Sequence, residues 1–322
     1  MAHVTVIGGG IIGSSWAIVF ARAGVNVRVV SRRPAARDMV LAYVTQAAGR
    51  ASAIAPDVSV ETILSRVSVH SDLAEAVQEA GFVMEAVEEK LEIKAEIFRE
   101  LDRYAPVDAV LASSTSSFGI SRFASEVLGR HRCIVAHPAA PPHLIPVVEI
   151  VPAPFTSLET VEITYELMQA IGQSPVLVKR EQPGFVMNRL QGALLTEMFR
   201  VIEDGLMSPE DVDRLISDGF GLRWAFLGPL EGIDLNAPGG IADYLKRYGF
   251  MFDDLAKERG GTSPVVTQKL VSVLHDAMRS ALPVTDLPRK LAWRDERMAS
   301  LRALKAKLGA FSTRDGDGSG TG

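Results

Sequence analysis

The sequence predicts an α/β domain followed by an all-helical domain, and three observations support this expectation. Apolar, β-branched runs alternate with helical patterns from residue 3 to about residue 179, as in βαβ units that surround a buried parallel sheet. A glycine-rich turn joins the first of these runs to the first helical pattern. Beyond residue 179 no further strand run occurs, and the remaining patterns are helical.

The expected strands are short and mostly apolar, and helical patterns lie between them. Strands are predicted over 3–7, 26–30, 82–87, 109–112, 133–137, 147–151 and 174–179. Helices are predicted over 14–24, from Pro34 to about Arg50, and over 90–104 and 121–128. Pro34 suits the first turn of its helix because that position needs no backbone N–H.

The character of the sequence changes near residues 182–184, so we expect domains over 1–183 and 184–308. Helices are predicted over 184–204, 241–259, 265–282 and 288–308. Another begins at Ser208 and Pro209, where an N-cap residue, a first-turn proline and the later acid Asp211 form a helix-start signature. The polar, glycine-rich tail over 309–322 is expected to be disordered and without function.

Composition excludes several classes of protein. The 322 residues are 47% hydrophobic and 23% charged, which is typical of a globular chain long enough for two domains. Lysine and arginine number 34 against 39 acids, so a nucleic-acid partner is not expected. Cys133 has no second cysteine to pair with, so neither a disulfide nor a metal site is predicted and a reducing cytoplasmic location is expected. No apolar run reaches 18 residues, which predicts no membrane span.

The glycine-rich turn has the pattern GxGxxG, formed by Gly8, Gly10 and Gly13 around Ile11 and Ile12. The pattern alone is common, but here it follows a strand and opens a helix, which is the context of a dinucleotide-binding loop. The first glycine allows the tight turn, the second lets the backbone approach a pyrophosphate, and the third allows close packing of helix and strand. The alternative is a glycine turn that serves packing only. The pattern favours a Rossmann-type domain with these five residues at the cofactor.

The end of the second strand lacks the acid that usually holds the ribose 2′-hydroxyl of NAD(H). Ser31, Arg32 and Arg33 stand there instead. A hydroxyl and two guanidinium groups suit a 2′-phosphate, so the sequence favours NADP(H), with NAD(H) as the alternative. The two arginines are otherwise a solvated loop pair, as charged loop residues usually are.

Two residues could form a carboxylate–imidazole pair. His137 ends one apolar strand and Glu149 lies inside the next, and a carboxylate beside imidazole fixes its tautomer and raises its basicity. The alternative is a surface histidine beside an edge-strand acid. Asn188, in the apolar start of a predicted helix, either faces a substrate or satisfies backbone groups. The serine-rich run around Ser116 ends another strand and by itself predicts only a turn.

Together these features are similar to the 3-hydroxyacyl-CoA dehydrogenase superfamily. The shared features are GxGxxG, Thr115-Ser116-Ser117, His137-Pro138, Glu149 twelve residues later, and PGFVMNRL from residue 183. Longer segments, among them IVAHPAAPPHLIPVVEIVP and SDGFGLRWAFLGPLEGIDLNAPGG, resemble the λ-crystallin branch of that superfamily. The likeness spans nearly the whole chain except the tail.

The resemblance implies oxidation of a 3-hydroxy acid, or reduction of the matching keto acid, with a nicotinamide cofactor. It assigns His137 as the general base and Glu149 as the group that orients it. It also implies that Ser116 and Asn188 hydrogen-bond the reacting oxygen. In the reductive direction the same imidazolium returns the proton.

The resemblance further implies that Glu89 and Lys94 contact the cofactor or lie near it. It also implies a homodimer built from the C-terminal helices. The predicted helix over 184–204 is rich in large apolar side chains, which neighbouring helices of the same chain would otherwise have to cover.

The chain departs from its relatives at three places. Ala140 replaces the asparagine common three residues after the histidine, His143 replaces a tyrosine of the λ-crystallin relatives, and Ser31-Arg32 replaces the acid of NAD-dependent relatives. The first two departures put the identity of the substrate in doubt.

Charge favours a free acid over a CoA thioester as the substrate. The segment 35–67 contains three arginines, three acids and no lysine, unlike the lysine-rich hairpin of the acyl-CoA enzymes. Arg223 is the candidate for binding a substrate carboxylate, with a structural salt bridge as the alternative. Two rival functions stay open: a 3-hydroxyacyl-CoA dehydrogenase, and a crystallin-like structural protein that binds cofactor without turnover, which the alanine at position 140 would suit.

Overall fold

The computed structural model describes residues 3–32, 35–225, 227–238, 240–258 and 283–308. Arg33, the predicted helix over 265–282, the last residue of the one over 241–259, and the tail over 309–322 lie outside these residues. The strands are β1 His3–Ile7, β2 Val27–Val30, β3 Val67–His70, β4 Ala80–Glu85, β5 Val110–Ser113, β6 Cys133–Pro138, β7 Val147–Val151 and β8 Ser174–Leu177.

The described helices follow the chain from the glycine-rich turn to residue 308. They are α1 Ile11–Arg22, α2 Ala36–Arg50, α3 Val60–Ser65, α4 Leu73–Ala76, α5 Leu91–Tyr104, α6 Ser121–Ala124, α7 Leu158–Ala170, α8 Met187–Glu203, α9 Pro209–Arg214, α10 Gly221–Trp224, α11 Pro229–Asp234, α12 Gly240–Glu258 and α13 Leu287–Leu308. A π-helical turn, Leu215–Phe220, joins α9 to α10. Among the described residues, no helix has both the length and the apolar character needed to cross a lipid bilayer.

The eight strands form one sheet in the order β3-β2-β1-β4-β5-β6-β7-β8. This confirms the predicted α/β domain and gives it the doubly wound arrangement in which the chain reverses beside β1. In such sheets a ligand binds beyond the carboxyl ends of the strands at the point of reversal. That point lies between β1 and β4, and the glycine-rich turn directly follows β1 there.

The sheet departs from the predicted parallel arrangement at one pair of strands. Strands β6 and β7 run antiparallel, whereas all other neighbours are parallel. Only the loop over 139–146 joins them, and it is too short for the crossover that a parallel pair requires. The turn places the two strands side by side, so His137 is directly opposite Glu149.

Helices cover both faces of the sheet, and each face has its own apolar core. Helices α1, α2 and α7 supply the core on one face, and α4, α5 and α6 supply the core on the other. Trp16, Phe20 and Phe82 are fully buried in the first core, and Phe98 and Leu111 in the second. Burial of this much apolar surface fixes the strand ends that carry the polar residues described below.

Four elements of this sheet domain were not predicted: β3, α3, α4 and α7. Strand β3 has only four residues with alternating polar positions, and α3 and α4 contain six and four residues. Helix α7 is rich in threonine, valine and isoleucine, which have low helix propensity. Its start is nevertheless well capped, because the Ser157 hydroxyl accepts a hydrogen bond from the Thr160 amide.

The long helix expected over 184–204 begins three residues later, at Met187. Gly184 and Phe185 both have positive φ angles, of 73° and 48°, so they form a turn before the helix. The helix start at Ser208 is as predicted: its hydroxyl accepts a hydrogen bond from the Asp211 amide, and Pro209 occupies the first turn.

The described chain divides into two compact units. The first contains the residues up to Leu190 and those from Lys290 onward, and the second runs from Gln191 to Arg289. Most of α13 therefore belongs with the sheet rather than with the other helices that follow residue 184. In the second unit, Ile202 and Val212 form a small apolar cluster with neighbouring side chains.

Helix α13 packs on the loop that connects His137 to Glu149. Ala299 forms an apolar cluster with Leu144 of this loop and with Ala51. The Arg302 guanidinium donates hydrogen bonds to the carbonyl oxygens of His143, Leu144 and Gly172 at 3.3, 3.1 and 2.7 Å. We refer to these contacts of Ala299 and Arg302 as the α13 clasp.

Candidate active site

The glycine-rich turn shapes a cradle at the end of β1. Gly8 has a φ of +120°, and a Cβ added there would collide with the Ala86 carbonyl. A Cβ on Gly13 would collide with the Gly8 carbonyl, so this position lets α1 approach the strand closely. A Cβ on Gly10 would meet only open space, which leaves the backbone there accessible to a ligand.

The start of α1 suits an anionic group. Its first turn contains no acidic side chain, and Gly10 stands at its N-cap without a capping side chain. Free N–H groups at a helix N-terminus attract phosphate. A cavity of about 660 Å³ lies there. Its lining includes Gly8, Gly10, Ile11, Ile12, Ser31 and Arg32. This set fits a dinucleotide by shape and by charge.

Ser31 and Arg32 lie at the end of β2, beside the glycine turn. A Cβ on Gly9 would lie 3.2 Å from the Ser31 Cβ. The Arg32 guanidinium does not project freely, because it pairs with both carboxylate oxygens of Glu100 on α5, at 2.9 and 3.1 Å. The structure thus brings Ser31 and Arg32 to the cavity and adds an acid that the sequence did not indicate.

Lys94 is buried in an ion-pair network. Its ammonium lies 2.9 Å from Glu85 Oε1 and 3.2 Å from Glu89 Oε2, and the Lys94 and Glu85 side chains are 1% and 0% exposed. Ser113 and the Val87 amide also donate to the Glu85 carboxylate. A buried ion pair persists when its remaining polar atoms are satisfied. The Lys94 ammonium is therefore held within the protein between two carboxylates.

Glu89 fixes the serine loop after β5. Its Oε1 accepts hydrogen bonds from the Thr115 hydroxyl at 2.5 Å and from the amides of Ser116 and Ser117 at 3.1 and 3.0 Å. Burial alone would raise the pKa of Glu89, but the Thr115 hydroxyl and the Lys94 charge lower it below its ordinary value. Glu89 is therefore a charged anchor that sets the position of Ser116.

His137 and Glu149 form a buried pair across β6 and β7. His137 Nδ1 lies 2.7 Å from Glu149 Oε2, and both side chains are almost fully buried. Glu149 Oε1 accepts from the amides of Val186 and Met187 at 2.9 and 2.8 Å. Burial opposes ionisation of Glu149, yet the bonds from His137 and these amides lower its pKa. The carboxylate thus stays charged and holds the imidazole in one orientation.

The first residues of α8 complete this arrangement. The Phe185 ring lies 5.3 Å from the His137 ring between centroids. The Asn188 side-chain amide donates to the Ser116 carbonyl at 2.8 Å, so Asn188 bonds backbone, which was one of its two predicted uses. Among the described residues, none donates to its side-chain oxygen. The turn before α8 therefore ties Glu149 and the serine loop to the same segment.

Two other sequence candidates, His143 and Arg223, have contacts of their own. His143 is buried against α1 and α2, with its Nδ1 3.1 Å from the Ser15 hydroxyl and its ring edge on Tyr43. Arg223 belongs to the second unit, where its guanidinium lies 5.8 Å from the centre of the Phe220 ring. The sequence analysis missed Glu85, whose signal is an acid within the apolar run FVMEAV nine residues before Lys94.

Comparison with known proteins places these features in a family. The sequence profile of the 3-hydroxyacyl-CoA dehydrogenase NAD-binding domain matches residues 3–182, and that of the C-terminal domain matches residues 184–273. A λ-crystallin homolog of Bos taurus is 39% identical over 312 residues, covering 95% of this chain and 96% of that protein. A 3-hydroxyacyl-CoA dehydrogenase of Gibberella moniliformis is 32% identical, covering 97% and 98%.

A solved structure is also similar to this chain. It is described as a 5-formyl-3-hydroxy-2-methylpyridine 4-carboxylic acid 5-dehydrogenase, an NAD⁺-dependent dismutase. It is 29% identical with a TM-score of 0.77, and the match covers 97% of this chain and 100% of that one. Because both domains of the family match in order and relatives above 30% identity cover almost the whole chain, the protein belongs to the 3-hydroxyacyl-CoA dehydrogenase family of NAD-binding oxidoreductases.

Proposed function

We propose that this chain is a dehydrogenase that interconverts a 3-hydroxy acid, or its ester, and the matching 3-keto compound by hydride transfer. The observation that carries the proposal is the buried pair of His137 and Glu149, 2.7 Å apart. The pair lies in the sheet whose β1 ends at the glycine cradle. Oxidation of an alcohol removes a hydride and a proton. The cofactor accepts the hydride, and a general base on the same sheet accepts the proton.

The two ring nitrogens of His137 are proposed to have separate roles. Nδ1–H donates to the Glu149 carboxylate, so the Nε2 lone pair takes the alcohol proton. When bound, a nicotinamide cofactor supplies the acceptor or donor of the hydride. His137 then holds the proton as an imidazolium that the Glu149 charge stabilises. In the reverse direction Nε2 returns this proton to the alcohol oxygen.

Ser116 and Asn188 are proposed to bind the reacting oxygen. The Ser116 hydroxyl is exposed and bonds only its neighbour Ser117, at 3.4 Å, among the described residues. Glu89 and Asn188 hold the backbone of Ser116 from two directions. The backbone that carries the Ser116 hydroxyl is therefore held in position before the substrate binds, which lowers the entropy cost of substrate binding. Glu89 and Lys94 act on the cofactor side by holding this loop.

The preferred cofactor is proposed to be NADP(H), with NAD(H) as the second choice. Ser31 removes the repulsion that an acid would exert on a 2′-phosphate, and Arg32 supplies a cation at the same cavity. A free 3-hydroxy acid is the proposed substrate class, because the lysine-poor segment over 35–67 offers little to the phosphates of CoA. Arg223 is proposed, from the sequence, to bind the carboxylate of the substrate.

A homodimer is proposed from the apolar surface of the second unit. Leu245, Tyr248 and Phe252, spaced along α12, are 47%, 46% and 46% exposed. Exposed apolar faces of this kind mark protein interfaces. Light scattering at micromolar concentration is expected to give twice the chain mass of 34.7 kDa. A monomer mass would contradict the proposal.

A panel of 3-keto acids, 3-keto esters and 3-ketoacyl-CoA thioesters tests the function. Turnover of free acids or esters above the thioesters supports the proposal, and the opposite order favours an acyl-CoA dehydrogenase. Tight cofactor binding without turnover of any member would favour the rival suggested by Ala140, a structural protein that binds cofactor.

A further inference from the structure

The strongest feature that the proposed mechanism does not use is the ion pair of Arg32 and Glu100. Both oxygens of Glu100 lie within 3.1 Å of one Arg32 nitrogen. The Arg32 side chain is 60% exposed and that of Glu100 is 31% exposed. Arg32 is the residue proposed to recognise a 2′-phosphate. The same guanidinium cannot donate fully to a carboxylate and a phosphate at once.

The pair lies at the junction of two cavities. Arg32 and Leu73 line both the cavity at the glycine turn and a second cavity of about 620 Å³. Ser31 lines only the first. Arg32 therefore stands between the cavity that Ser31 lines and the second cavity.

The charges around the second cavity are balanced among the described residues. Its charged lining consists of Arg32, Arg99, Arg103, Asp72, Glu96 and Glu100. A dianionic phosphate in such a site is repelled by the acids nearest to it and competes with them for the arginines. Glu100 is the one that bonds Arg32. Removing its charge would leave this lining with a net positive charge.

We propose that Glu100 is a specificity-determining residue for the cofactor: it occupies the Arg32 guanidinium and so weakens the preference for a nucleotide with a 2′-phosphate. This inference rests on the proposed role of Arg32. It adds that the selectivity is set by competition between one carboxylate and the 2′-phosphate. The wild-type protein then discriminates less than its Ser31-Arg32 sequence predicts.

The test uses isothermal titration of the full-length protein with 2′,5′-ADP and with 5′-AMP, two probes that differ only in the 2′-phosphate. Glu100→Gln is expected to tighten 2′,5′-ADP about fivefold, the upper range for an exposed ion pair. Binding of 5′-AMP should change less than about twofold. Glu96→Gln is the matched control, because Glu96 lines the same cavity and bonds none of the described residues.

A double-mutant cycle with Arg32→Ala separates the two proposals. If Glu100 acts through Arg32, Glu100→Gln has no effect in the Arg32→Ala background. If Arg32→Ala weakens 2′,5′-ADP but Glu100→Gln does not tighten it, the inference on Glu100 fails while NADP(H) preference stands. A gain from Glu100→Gln that persists without Arg32, or that Glu96→Gln matches, also overturns the inference. If Arg32→Ala leaves the ratio of the two affinities unchanged, the proposed NADP(H) preference itself fails.

Discussion

The two units of the chain differ in how they bury their apolar side chains. In the first unit, a sheet with helices on both faces encloses two continuous cores. In the second, Ile202, Val212 and Ala237 are the only buried apolar side chains among the described residues. The buried polar side chains that form the candidate site also lie in the first unit: Glu85, Lys94, His137 and Glu149.

We therefore expect the proposed chemistry to depend on the packing of the first unit. A buried carboxylate or imidazole keeps its geometry only where packing prevents rearrangement and its hydrogen bonds are complete. The second unit exposes the apolar side chains of α12 on which the proposed homodimer rests. Variants at the candidate site should therefore change catalysis or nucleotide choice while leaving assembly intact.

The largest effect is expected from His137→Asn. Loss of the proposed general base should lower kcat at least 100-fold, within the roughly 10²- to 10⁴-fold contribution of acid–base catalysis. Steady-state kinetics measure kcat, and nucleotide titration measures cofactor affinity separately. Cofactor affinity and the mass of the assembly in solution should stay unchanged. A variant that retains more than about a tenth of the wild-type rate would show that His137 is not the base.

The second largest effect concerns the choice of cofactor. Ser31→Asp combined with Arg32→Ile should shift the NADPH/NADH ratio of kcat/KM toward NADH by about 10- to 150-fold, the value of one charge-assisted hydrogen bond to phosphate. Arg103→Ile is a control, since Arg103 lines only the second cavity. A wild type that prefers NADH tenfold would refute the assignment of the two residues.

A smaller loss is expected from Glu149→Gln. Glutamine has one acceptor oxygen, whereas Glu149 accepts from His137 with one oxygen and from the Val186 and Met187 amides with the other. The imidazole then loses its fixed orientation, and kcat should fall about 10- to 100-fold, the range for a carboxylate that orients a metal-bound histidine. The nucleotide dissociation constant is the control. Equal losses in kcat and in nucleotide affinity would indicate a general collapse of the site.

The smallest effect concerns stability in acid. Burial, followed by the nearby charge of Arg22, lowers the pKa of His143 to about 4. The unfolded chain binds a proton below about pH 6.5 that the folded chain does not, so stability falls with pH from 6.5 toward 4. Between pH 7 and 5.5 the loss should be about 1 kcal/mol.

Urea unfolding of the wild type and His143→Phe measures this loss. The phenylalanine variant keeps an aromatic ring but cannot bind a proton. It should therefore be less sensitive to pH than the wild type over the same interval. An identical pH dependence of the two proteins would mean that His143 does not carry the effect.

The sequence allowed the prediction of much of the first unit because local signals there agree with the tertiary structure. The first strand, the glycine turn and the first helix follow one another directly in the sequence. The residue types in each of these elements favour the structure that the element adopts. Neighbouring strand positions also suggested that His137 and Glu149 meet. The direction of β7 was not predicted, because the length of the loop over 139–146 limits strand direction more than the strand sequence does.

Long-range polar contacts could not be read from the sequence. Lys94 lies in a helical pattern where a lysine is ordinarily exposed. Its burial is explained by the ion pair with Glu85, which only the three-dimensional structure shows. The same is true of Glu100, whose partner Arg32 is 68 residues away. Helix α13 was grouped with the other C-terminal helices because its pattern carries no information about which unit it contacts.

The α13 clasp also affects the order in which the protein can fold during synthesis. The ribosome makes α13 about a hundred residues after the rest of the first unit. Until then the loop between His137 and Glu149 lacks the hydrogen bonds of Arg302 and the apolar cover of Ala299. Because domains fold as units while the chain emerges, we expect a nascent chain to form the glycine cradle early. The loop beside the His137–Glu149 pair is fixed only after α13 has been made.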